Sequence, residues 1–70
     1  MTDLATAYEL AAQWHDKNAR GCRDIADDIR VGVDIQVKAM VASKHHAASA
    51  AGLRLAATEI RRKQLQEARH

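Results

Sequence analysis

The sequence predicts an all-α protein, an antiparallel two-helix hairpin that dimerises into a four-helix bundle. Three observations lead there. Ala, Leu, Glu, Gln, Lys and Arg dominate a 70-residue chain with no Pro, and these are strong helix formers. One short stretch around Gly32 interrupts them. The two halves also repeat each other: WHDKNARGCRDIADDIR (Trp14–Arg30) aligns without gaps on HHAASAAGLRLAATEIR (His45–Arg61). His15/His46, Ala19/Ala50, Gly21/Gly52, Arg23/Arg54, Ala26/Ala57, Ile29/Ile60 and Arg30/Arg61 are identical pairs.

Helix one is expected over about residues 3–31, with Thr2 or Asp3 capping a start near Leu4. Next comes IRVGVDIQVK (Ile29–Lys38), where Val31, Val33, Ile35 and Val37 alternate with Gly32, Asp34 and Gln36. That is strand periodicity. A lone strand needs another chain to pair with, so a ribbon across a dimer is the rival to a turn. The repeat favours the turn, at about residues 32–34. Gly32 then supplies the left-handed residue that ends helix one, and Asp34 caps helix two over about 35–68. Folding there opposes residues whose numbers sum to about 65. His15 faces Ala50 and His46 faces Ala19, so each bulky ring meets a small residue. Arg61-Arg62-Lys63 suits a helix end, where cations meet the negative pole of the dipole.

The helical period assigns the faces. On helix one, Leu4, Tyr8, Ala12, His15, Ala19 and Ala26 share a side, beside a stripe of Ala7, Leu10, Trp14, Ile25 and Ile29. On helix two, Ala39, Ala42, His46, Ala50, Leu53, Ala57 and Ile60 share one face. Val37, Val41, Ala48, Ala51 and Leu55 form a second seam on nearly the opposite side, interrupted by Lys44. The expected hairpin seam is His15, Ala19, His46, Ala50, Leu53 and Ile60. The expected dimer or partner contacts are Tyr8, Leu10, Trp14, Ile25, Val37, Val41 and Leu55.

Composition argues for a partner. The apolar fraction is 47%, but fifteen of those residues are Ala, Phe is absent, and Tyr8 and Trp14 are the sole aromatics. With each buried CH₂ worth roughly 0.8 kcal/mol, so short and Ala-rich a chain builds a small core. Trp14 is then either an anchor of the dimer core or a hot spot for a partner. The lone Cys22 with no signal peptide reads as intracellular, and the expected setting is cytoplasmic. No apolar run approaches the ~20 residues that span a bilayer, so no membrane role is expected.

Net charge is +2, unevenly spread. Residues 1–35 hold four Lys/Arg against seven Asp/Glu, and residues 36–70 hold seven against two. An acidic helix beside a basic one accounts for this. Arg54, Arg61, Arg62 and Lys63 could instead meet phosphates or an acidic protein. The chain lacks a glycine-rich phosphate loop, HExxH, a CxxC pair and a nucleophile elbow. His15-Asp16 and His45-His46 are not spaced as helical metal pairs, and no cofactor is expected.

The chain's shortness, its Ala/Arg-rich composition, the hairpin and the W-H-x3-A…I-R pattern (Trp14, His15, Ala19, Ile29, Arg30) resemble small early bacteriophage proteins that disable host proteins. Within that group the chain is similar to the quorum-sensing anti-activator proteins of Pseudomonas phages. The resemblance implies a dimeric helical hairpin, without catalysis, that binds a LuxR-type transcription regulator in a bacterial cytoplasm. It also implies a link to blocking the pilus-assembly ATPase. Two other readings stand beside it: a small dimeric DNA-binding regulator using the basic second helix, and a structural assembly subunit.

Overall fold

The computed structural model describes residues 3–69, so Thr2 as a candidate cap lies outside the described residues. Two helices, α1 (Leu4–Ala26) and α2 (Val33–Ala68), pack against each other as a hairpin. The molecule is long and thin, 59 × 20 × 11 Å. Asp3 caps α1, its carboxylate accepting the Thr6 N–H at 2.8 Å. No strand occurs among the described residues. The alternating stretch is a turn followed by the start of α2.

The turn is built differently from the sequence expectation. Helix one stops at Ala26 rather than near residue 31, and Ile29–Val31 form one 3₁₀ turn. Asp28 is the reason. Its Oδ1 accepts the Arg30 backbone N–H at 3.0 Å and the Arg30 Nε–H at 2.9 Å. An aspartate offering its backbone such a local bond competes with the helix. Gln36 then reaches back to donate to the Asp28 carbonyl at 3.1 Å. Gly32 follows with φ 87° and ψ 158°, a region open essentially to glycine alone. So Gly32 closes the 3₁₀ turn, not helix one. It also stands at the N-cap of α2 with no side-chain bond, which leaves Asp34 inside the first turn rather than at the cap. Arg61-Arg62-Lys63 does not end α2, which continues to Ala68.

The seam follows a seven-residue rule. On α1 the inward positions are Ala5, Tyr8, Ala12, His15, Ala19, Cys22 and Ala26, spaced alternately by three and four. On α2 they are Gln36, Ala39, Ser43, His46, Ala50, Leu53, Ala57 and Ile60. Every one is buried or half-buried. The most buried are small: Ala5, Ala12, Ser43, Ala50 and Ala57, each at most 1% exposed. Small side chains at every seventh place let two helices approach at the short end of the ~8–10 Å range.

Candidate functional site

Two features rise above this scaffold: a paired-histidine cluster in the seam and an open groove on the outer side of α1. The histidines occupy equivalent places in the sequence repeat. They meet each other, Nδ1 to Nδ1 at 2.8 Å, with ring centroids 5.1 Å apart. The expectation that each ring faces a small residue is therefore corrected. An imidazole set only against alanine methyl groups would leave its nitrogens without partners in a half-buried seam, at a cost in free energy. Facing each other, the two Nδ1 atoms can share one hydrogen bond, its direction set by the tautomers. Trp14 abuts both edge-on, 5.0 Å from His15 and 5.9 Å from His46 between centroids. No group of three or more His, Cys, Asp and Glu is placed to hold a metal among the described residues. Two imidazoles alone fall short of a usual protein site.

Two ion pairs flank the seam on one side. Arg54 pairs with Asp16 and Arg61 with Glu9. The second contacts of these forks are 3.3 Å (Arg54 Nη1 to Asp16 Oδ1) and 3.1 Å (Arg61 Nη2 to Glu9 Oε2). The Arg61 guanidinium, by hydrogen bond, holds the Glu9 carboxyl below its ordinary range, and Arg54 does the same to Asp16. Reciprocally, both guanidiniums are raised. Of the four cations expected to meet phosphates or an acidic partner, Arg54 and Arg61 are thus engaged within the hairpin. Arg62 and Lys63 are exposed, Arg62 lying 3.9 Å from Glu59. Sequence reasoning missed Glu9 and Asp16 as partners. Their signal was present: each follows a seam residue, Tyr8 or His15, as Arg54 and Arg61 follow Leu53 and Ile60.

The groove is a shallow, open depression along one side of α1, lined by Trp14, Lys17, Asn18, Gly21, Cys22 and Ile25. Trp14 is 58% exposed and Ile25 44%. Asn18 donates to the Trp14 carbonyl at 2.8 Å, and a Cβ at Gly21 would meet nothing within 4 Å, so the floor between Trp14 and Ile25 is open. Among the other expected contact residues, Leu10, Val37, Val41 and Leu55 are exposed. Tyr8 is not: it is half-buried and in step with the seam, because it lies seven residues before His15. His15, Ala19, His46, Ala50, Leu53 and Ile60 are buried or half-buried along the seam. Ser43, 1% exposed, was missed despite standing seven residues before Ala50.

Compared with protein-family models, curated proteins and solved structures, the chain matches none.

Proposed function

We propose that this is a small, non-catalytic, homodimeric helical protein that binds and inhibits a host protein in a bacterial cytoplasm. Its target is a LuxR-type quorum-sensing transcription regulator, with the pilus-assembly ATPase as a second one. The observation that carries this reading is Trp14. An indole has a large apolar surface to bury, yet this one stays 58% exposed over a groove, braced from behind by His15 and His46. A fixed, half-covered tryptophan beside an apolar floor has the makings of a binding hot spot. No described helix is long and apolar enough to cross a membrane. The nucleic-acid reading loses two of its four cations to the Asp16 and Glu9 pairs.

The test is binding to a purified LuxR-type regulator, followed by Trp14 fluorescence and by titration calorimetry. Complex formation is expected, with Trp14→Ala weakening it by at least about 2 kcal/mol while circular dichroism stays helical. Equal affinity of Trp14→Ala sinks the groove as the contact. Failure to bind the regulator, together with a salt-sensitive shift of duplex DNA, replaces inhibition with DNA binding.

A further inference from the structure

Both imidazoles of the seam pair are half-buried, and their Nδ1 atoms stand 2.8 Å apart. A contact that short holds one hydrogen between the nitrogens. With both rings neutral, one Nδ1 carries it and the other offers a lone pair. With one added proton, the imidazolium donates to its neutral neighbour, and the contact survives. A second added proton puts a hydrogen on each Nδ1. Two N–H groups then point at each other, and two positive charges meet in a partly dry seam.

We propose that this pair is an acid-sensitive latch: the closed hairpin accepts one added proton at His15 and His46, and a second parts the rings and loosens the seam beside Trp14. The inference concerns the hairpin itself and stands whatever protein the groove meets. Nothing around the pair offsets the second charge. On α1, Asp16 follows His15, but the Arg54 guanidinium of α2 already holds that carboxylate, as Arg61 holds Glu9. Lys17 and Arg20, both exposed, add positive charge. Tyr8 and Cys22, the other titratable residues of the α1 seam, are seven places either side of His15, about 10 Å along the axis. On α2, the seam positions flanking His46 are Ser43 and Ala50, and the exposed Lys44 and His45 supply no negative charge.

In acid, the open chain binds two added protons at these residues and the closed hairpin one. Low pH therefore favours opening, because it favours the state that binds more protons. A difference of one proton lowers the folding constant by up to about tenfold per pH unit. Trp14 reports the event locally. It is the sole tryptophan, and its indole meets both imidazoles edge-on.

Urea unfolding of the full chain, followed by Trp14 fluorescence and by circular dichroism between about pH 8 and about pH 5.5, tests it. That range stays above ordinary carboxylate titration. The native folding constant should fall about five- to tenfold across it. His46→Gln keeps a hydrogen-bond acceptor for His15 but brings no second charge, so its folding constant should hold nearly level. His15→Gln is the reciprocal variant and should behave alike. His45→Gln, which changes an exposed neighbour, should fall as the native chain does. Imidazole nitrogen shifts give a second reading on the native chain alone: while the hairpin stays folded in acid, one ring of the pair should keep a bare nitrogen. A native folding constant that holds level, an equal fall in both variants of the pair, or two imidazolium rings within the folded hairpin overturns the inference.

Discussion

Residues 25–32, IADDIRVG, and 56–63, AATEIRRK, hold equivalent places in the repeat, yet the chain turns at one and runs straight through the other. Ala26/Ala57, Ile29/Ile60 and Arg30/Arg61 are shared, so they cannot decide the outcome. The pairs that differ are Ile25/Ala56, Asp27/Thr58, Asp28/Glu59, Val31/Arg62 and Gly32/Lys63, and of these Asp28 and Gly32 act directly on the backbone. Asp28 is short enough to take its neighbour's backbone N–H. Glu59, one methylene longer, points along the helix toward Arg62, and Thr58 donates to the Arg54 carbonyl at 3.0 Å without leaving the helix. A carboxylate one carbon shorter and one glycine thus separate a hinge from a straight rod. The same seven-residue pattern serves both.

The largest test of that contrast is at the glycine. Gly32→Val forces a side chain into a backbone region it resists and should cost about 1–3 kcal/mol in urea unfolding. Lys63→Val, the matching change on α2, should stay within about 0.5 kcal/mol. Equal costs would mean that Gly32 does not set the turn. Next comes the alanine just inside each stretch. Ala57 is 1% exposed, whereas Ala26, where α1 ends, is half-buried. Ala57→Leu should overpack the seam by about 1–3 kcal/mol, and Ala26→Leu should cost about 0.5 kcal/mol, again by urea unfolding.

The smallest effect separates the repeated arginines. Arg54 and Arg61 grip acids across the seam, whereas their counterparts differ: Arg30 pairs locally with Asp28, and none of the described ion pairs uses Arg23. Glu9 and Asp16 are depressed below their ordinary values by those arginines. Their contribution is therefore complete above the normal carboxylate range and is lost as pH falls through the lowered values. Thermal melting from pH 6 downward should show a modest fall in midpoint, shallower in Asp16→Asn. An unchanged slope in that variant would mean that the pair adds nothing to folding.

Much of the fold was legible because it depends on period and composition. Helix formers without proline, a repeat and Gly32 give two helices and a reversal, and the Asp3 cap was readable from its place before Leu4. The break at Ala26 was not, since apolar spacing continues unbroken through Ile29 and the deciding force is a hydrogen bond within two residues of Asp28. The facing of His15 and His46 was hidden for a related reason. Size complementarity alone assigns each ring to an alanine, but the nitrogens need partners more than the rings need room. The exposed positions Leu10, Trp14, Ile25, Val37, Val41 and Leu55 were readable as residues that the seam does not take up. Tyr8 was counted among them although it shares a side with His15, and its seven-residue spacing to His15 points inward.

Helix α2 is 36 residues long against 23 for α1, and every residue from Arg62 to Arg69 is exposed. No side chain of that distal arm is buried, so little packing holds its backbone bonds closed. It can unwind turn by turn at almost no cost to the rest. Its amides should exchange with solvent deuterium long before those around His46, giving the molecule a soft tip on a stiff shaft.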